Sequence, residues 1–323
     1  MRKLILHSIL LLSVFSISSC NYLDVDKWFD DTMKYDSIFS RKEYLERYMW
    51  NVASMFPDEG DFLNSPATAG PLATDEAFET FNAETYTGMA YVTGAINEEN
   101  ITNKDAKKKK SIYQWDTMYK IILSRMDEVT DMSNLEKPDI WAYTYFMRAY
   151  AYYHLIMDFG PVILVGDQVY PSNEQPEAYA NVRATYDESV DYACEQFELA
   201  AQYLPETQPN SSFGRPTKGA AYALIARLRL IQASPLYNGR GQTYFGNWKR
   251  SSDGVFYISQ QYDDRKWAVA AAACERVIDM GRYELHTVPA DKDSFVPPTN
   301  ENQAFPNGVG GIDPLKSYSY MFN

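Results

Sequence analysis

Two acidic pairs, Asp75 with Glu76 and Asp263 with Asp264, are the side chains of this sequence best suited to general acid-base chemistry. Hydrolysis of a glycosidic bond needs two carboxyl groups about 5 Å or more apart, one to deliver a proton and one to attack or to activate water. Neighbours in sequence rarely reach that separation, and Asp263 stands where a helix cap is expected. Metal and nucleophile chemistry is as thinly supplied. Beyond residue 20 the only histidines are His154 and His286, and neither HExxH nor CxxC occurs. His154 falls within an aromatic helical pattern, which favours a core histidine. "GVGG" at 308 to 311 follows no strand and opens no helix, so it lacks the setting of a phosphate loop.

The cysteines carry a different chemistry. Arg2 and Lys3 form a basic start, and Leu4 to Ile17 form an apolar run broken by His7, Ser8, Ser13 and Ser16. That pattern reads as a secretory signal over residues 1 to 19, too short and wrongly flanked for a membrane span. Ile17, Ser18 and Ser19 then precede Cys20, which resembles the lipobox of bacterial lipoproteins, where the thiol is acylated and the cysteine becomes the new N-terminus. Acyl chains contribute about 0.8 kcal/mol per buried CH₂, and several on one residue hold a protein stably on a membrane. Cys20 is therefore expected to be a tether, and residues 20 to 39 a flexible anchor segment. The other two, Cys194 and Cys274, fall in helical patterns and read as buried free thiols, with pairing open to an exported protein.

A formal net charge of -13 disfavours nucleic acid, whose phosphates need clustered Lys and Arg. The single basic run, Lys107 to Lys110, is expected in a solvated turn. The chain is long enough to bury a sizeable core. It also carries 26 Tyr, 16 Phe and 6 Trp, enough flat amphipathic side chains to cover ligands as well as a core.

These residues are positioned by helices. Ser40 to Glu43 fits a capping box before Tyr44, Leu45, Tyr48, Val52, Met55 and Phe56 at helical spacing. Residues 111 to 130 place Trp115, Met118, Tyr119, Ile122, Met126 and Val129 on one face. The stretch from Trp141 to Leu164 is apolar almost all round: Trp141, Tyr145, Ala149, Tyr152 and Ile156 form one stripe, and Phe146, Tyr150, Tyr153 and Met157 another. Such a helix belongs between two neighbours. Thr185 to Glu188 is a second capping box, leading a helix that ends at Pro205. A fifth helix opens at Pro216 and carries Gly219, Ala220, Ala221 and Ala223, small enough for close helix approach. A sixth runs from about Asp264 to Gly281, with Trp267, Ala270, Ala271, Cys274, Val277 and Ile278 inward and Gly281 as C-cap. From Pro289 onward no helical pattern is evident.

Helix starts near 185 and 216 lie about 31 residues apart, the spacing of tetratricopeptide-like pairs. Three segments, 57 to 110, 159 to 182 and 234 to 263, interrupt the helices and exceed the roughly 12 to 15 residues at which a loop is usually functional or disordered. All are rich in Tyr, Phe, Gly and Asn.

In family order, these segments resemble the SusD-like (RagB/SusD) nutrient-binding lipoproteins of the Gram-negative outer membrane. The match is carried by Cys20 followed by Asn21, Leu23 and Asp24; by "LATDEAFE" at 72 to 79; by "RAYAYYHLIMDFGPVILV" from Arg148; by "GRPTKGAAYALIARLRLIQASPLYNG" from Gly214; and by "KWAVAAAACERVIDMGRYEL" from Lys266. The resemblance implies a mostly α fold of tetratricopeptide-like pairs over residues 40 to 323, with long inserted ligand loops. It implies an acylated, surface-exposed outer-membrane protein without catalytic residues or cofactor. Such a protein binds an oligosaccharide or other nutrient and delivers it to a SusC-like TonB-dependent transporter. A surface-attached glycan-degrading enzyme and a purely structural surface lipoprotein are the alternatives.

The family's first ligand loop follows the acidic motif, which makes Phe81, Asn82, Tyr86 and Tyr91 the first ligand candidates, beside Phe78, Glu84 and Asn97. Tyr237, Tyr244 and Trp248, with Phe245, are the second, on a segment placed to face either ligand or transporter. In both, anchoring of the loop competes with ligand contact as the reason for the aromatics. Two departures stand out. Arg125 replaces the family's usual asparagine, and family members generally run to about twice this length, so residues 40 to 323 are expected to lack a C-terminal half that supplies ligand contacts. That in turn predicts exposed apolar surface on the helical layer.

Overall fold

The computed structural model describes residues 35–54, 74–75, 93–95, 102–170, 175, 181–291, 294 and 311–320, with backbone alone at 35, 102–111 and 314. Its helices are α1 (Lys42–Ala53), α2 (Thr102–Arg125), α3 (Lys137–Phe159), α4 (Tyr186–Tyr203), α5 (Lys218–Ala233), α6 (Gly241–Phe245), α7 (Arg265–Asp279) and α8 (Pro314–Tyr320). The long helices stack in chain order, α2 on α3, α3 on α4, α4 on α5 and α5 on α7. Each element therefore buries its face mainly against its neighbours, the logic of an α-α solenoid.

The centre of the stack is α3, buried on both sides as its all-round apolar pattern requires. Ala149, Tyr152, Leu155 and Ile156 lose nearly all contact with water. Phe146 meets Phe197 of α4 at 5.4 Å, and Tyr143 meets Trp50 of α1 at 5.0 Å. Burying such side chains contributes about 1.5–3 kcal/mol each. Gly160 ends the helix with φ 68°, a conformation only glycine adopts cheaply. In α5 the close approach at Gly219 is made by a ring and not by a helix: a Cβ there would collide with the Tyr283 ring, which lies against it from the segment after α7.

Several expectations change. The capping box at Ser40 does not form. Ser40 belongs to a 3₁₀ turn, Tyr35–Ser40, and bonds Ser37 O, while the first amide of α1 is capped from a distance by Asp131 Oδ1 at 2.7 Å. That turn lies within the stretch read as anchor, and its Ile38 and Phe39 are buried. Lys107 to Lys110 stand in α2 rather than in a turn, because the helix starts at Thr102. Pro216 precedes the cap of α5 and does not enter its first turn; Thr217 accepts from Ala220 N. The segment after Pro289 contains α8 and a bridge between Pro289 and Ile312, held by side chains of a polar stretch. Ser317 Oγ accepts from Val288 N at 2.8 Å, and Asp313 Oδ1 from Lys316 N at 2.9 Å.

On α7 the expected inward face is only half realised. Ala270 is buried and Cys274 and Val277 are half-buried, but Trp267, Ala271 and Ile278 are exposed. Helix α5 covers one side, and no further described helix packs broadly on the other. Cys194 is buried, Cys274 half-buried, and both are free thiols. Burial pushes the Cys194 thiol up to about 12, against the opposing pull of the nearby Arg229 charge.

Candidate functional site

The second candidate segment is a platform built between α5 and α7. Its two ends are tied together by Asn238, whose Oδ1 accepts from Asp263 N at 2.8 Å and whose Nδ2 donates to Asp263 O at 2.9 Å. Asn238 is buried, so the bonds that hold the segment closed are shielded from water. Between those ends the chain makes α6 and then a tight turn in which Lys249 pairs with Phe256. Arg250 braces the turn, donating to Asp253 and to Glu188 of α4.

This frame separates the three aromatics proposed there. Tyr237 is half-buried and stacks on Tyr186 at 3.8 Å with the rings parallel within 1°. Burial pushes both hydroxyls above the ordinary tyrosine range. Trp248 is wedged between the Tyr257 ring at 5.0 Å and the Arg183 guanidinium at 5.6 Å. Both therefore anchor the segment, while Tyr244 is 59% exposed and has a face to offer. Phe81, Asn82, Tyr86 and Tyr91, with Phe78, lie outside the described residues.

Of the two acidic pairs, only Asp263 with Asp264 lies wholly among the described residues, and it serves the start of α7. Asp263 Oδ1 accepts from Arg265 N and from Arg265 Nε, and this bonding lowers its pKa, the reverse of what a general acid requires. It starts α7 from one position before the cap residue, Asp264. Asp75 is exposed and Glu76 lies outside the described residues. Among the described residues no three His, Cys, Asp or Glu side chains converge to hold a metal. His154 is buried on α3, edge-on to Tyr150 at 4.5 Å and Tyr153 at 5.5 Å.

The segment after α3 shows why the "RAYAYY…FG" stretch has its composition. Arg148 is fully buried, yet its guanidinium meets Asp116 Oδ1 at 3.3 Å, Asp167 Oδ1 at 2.8 Å, Gly166 O at 3.1 Å and Tyr192 Oη at 2.7 Å. Tyr152 Oη accepts from Val165 N, and Tyr113 Oη both donates to Ile163 O and accepts from Ile163 N. Burial raises the Tyr113 hydroxyl to about 12, so it stays protonated as the donor this geometry needs. One arginine and two tyrosines thus fasten residues 163–167 to the stack. Arg125 fills a similar office at the other end: it bonds Glu128 and Asp36 and lies 4.3 Å over the Phe39 ring, which pins the first turn. Asn238 and Arg148 were not singled out as functional from sequence; an asparagine at the edge of a Pro- and Gly-flanked loop was the available signal for the first.

A protein-family model described as "Starch-binding associating with outer membrane" matches residues 21–230, the region that holds α1 to α4 and most of α5. The chain belongs to this SusD-like family. Solved structures agree in fold. A protein designated BT4246 superposes with TM-score 0.64 at 24% identity, covering 82% of this chain and 46% of its own. A SusD-like protein (BF3747) from Bacteroides fragilis NCTC 9343 gives 0.52 at 20%, covering 79% and 42%. A SusD-like carbohydrate binding protein (BF0978) from the same organism gives 0.53 at 16%, covering 77% and 42%. The chain spans under half the length of these family structures. No curated protein matches it significantly. Among the described residues no helix is long and apolar enough to cross a membrane.

Proposed function

We propose that this chain is a non-catalytic glycan-binding lipoprotein of the outer membrane, tethered through acylated Cys20 and holding its ligand for a SusC-like TonB-dependent transporter. The observation that carries the reading is the family match over residues 21–230, whose description joins starch binding to outer-membrane association. The basic and apolar leader before Cys20 supports the tether. The Asn238-tied platform supports ligand contact at Tyr244, since a sugar ring needs a flat aromatic face on a rigid mount. Phe81, Asn82, Tyr86 and Tyr91 supply the other contact, aromatics for the ring faces and an amide for the hydroxyls.

Affinity electrophoresis of the purified chain in gels holding soluble starch, xyloglucan or laminarin tests the reading. Retardation by at least one glycan is expected, together with its loss in the Phe81→Ala, Tyr86→Ala double variant at unchanged melting temperature. Hydrolysis of the glycan by pure protein, or free migration through every gel, overturns it. Cys20→Ala should move the protein from the membrane to the soluble fraction, and mild-detergent extraction of the native chain should bring a transporter with it.

A further inference from the structure

A cavity of about 230 Å³ opens between α2, α3 and the segment that Arg148 fastens, lined by Lys120, Leu123, Ser124, Tyr145 and Asp167. It uses none of the candidate ligand residues of either loop. At about 30 Å³ per liquid water, its volume matches roughly seven or eight waters, the scale of one small ring rather than a chain.

Its floor is unusual. Lys120 is 2% exposed, and its ammonium has three N–H donors but one carboxylate partner among the described residues, Asp116 Oδ2 at 3.1 Å. Asp116 is itself shared, because its other oxygen faces Arg148 at 3.3 Å. At the rim, Asp167 is 89% exposed; Arg148 takes Oδ1 at 2.8 Å and leaves Oδ2 open as an acceptor. Ser124 gives its proton to Ile121 O and keeps its oxygen lone pairs for a donor. Leu123 and Tyr145 supply apolar surface on the flank. A buried ammonium that is short of acceptors is costly unless something satisfies it.

We propose that this cavity is a binding site for a single neutral polyol ring, one hydroxyl accepting from Lys120, another donating to Asp167 or Ser124, and the ring's C–H face against Tyr145. The two cations of the cluster, Lys120 and Arg148, balance Asp116 and Asp167, so the site has no surplus charge to select an anion. It stands apart from the proposed oligosaccharide loops and does not depend on them.

Titration of the full chain with methyl α-glucoside, glucuronate and inorganic sulfate, followed by saturation-transfer NMR, tests it. Saturable binding of the glucoside is expected, weakened about tenfold or more in Lys120→Met, the loss of one charge-assisted hydrogen bond. Because Lys120→Met also disturbs Asp116, Ser124→Leu serves as the companion variant: it fills the mouth from an exposed position and should abolish binding at unchanged melting temperature. Absence of saturable glucoside binding overturns the site. Tighter binding of glucuronate or sulfate overturns the neutral class. Equal affinity in Ser124→Leu moves the ligand elsewhere. Retardation in glycan gels should survive Ser124→Leu, and glucoside binding should survive Phe81→Ala with Tyr86→Ala, so the failure of either proposal leaves the other measurable.

Discussion

Helices α3 and α7 both carry apolar residues around much of their circumference, yet they end in opposite environments. On α3 two neighbouring helices leave Ala149, Tyr152 and Ile156 without solvent, and even the intervening Arg148 is buried, its guanidinium donating four hydrogen bonds. On α7 only the α5 side is covered, while Trp267 stays 40% and Ile278 74% exposed. Periodicity states which residues are able to be buried; the number of neighbours decides which are. The contrast also divides the molecule energetically, into a centre where single changes are expensive and a margin where they are not.

The largest expected effect is at the centre. Arg148→Met removes the cation that four groups share and leaves buried Asp116 with Lys120 as its one remaining cation beside the Tyr152 hydroxyl, which should cost about 3–5 kcal/mol in urea denaturation. A change under about 1 kcal/mol would place the strength of that layer in its apolar contacts instead. Thr185→Ala should cost about 1 kcal/mol, since Thr185 and Glu188 form a complete reciprocal box at the start of α4.

A pH series probes the first turns. Bonding to Lys42, with help from Ser133, holds Glu136 down at about 2, against 4.5 for the free group. A depressed folded-state pKa gives stability that is present above about 4.5 and is lost as pH falls toward about 2. The melting temperature of the native chain should therefore fall more steeply through that window than that of Glu136→Gln, and the two curves should converge near its acid end. Parallel curves would remove Glu136 from the account.

The smallest effect is expected on α7. Ile278→Ser should change stability by no more than about 0.5 kcal/mol, as for other exposed positions. A loss comparable with that of Arg148→Met would mean that this face is covered in solution and would erase the difference between the two helices.

Much of this was readable in the residues. The all-round apolar run from Trp141 fixed α3 as a sandwiched helix, and Thr185 and Glu188 fixed the start of α4. The misreadings share a cause. Ser40 had the right spacing for a cap, but Asp131, 89 residues away from Lys42, reached the amide instead. Lys107 to Lys110 looked like a turn because charge was taken for a loop signal, whereas lysine is a good helix former. Asn238 looked like any loop asparagine, although burial makes it the clasp of the platform.

The sequence by itself determined the helical class, the order of the main helices, the two-sided burial of α3 and the family signature, because these rest on local spacing and side-chain type. The tertiary structure alone decided that Tyr237 and Trp248 anchor while Tyr244 is presented. It also decided which face of α7 is covered, and that Lys120 and Asp167, joined through Asp116 and Arg148, line one cavity. Those outcomes depend on groups brought together from distant parts of the chain, and the burial that makes them costly or useful exists only once the helices have stacked.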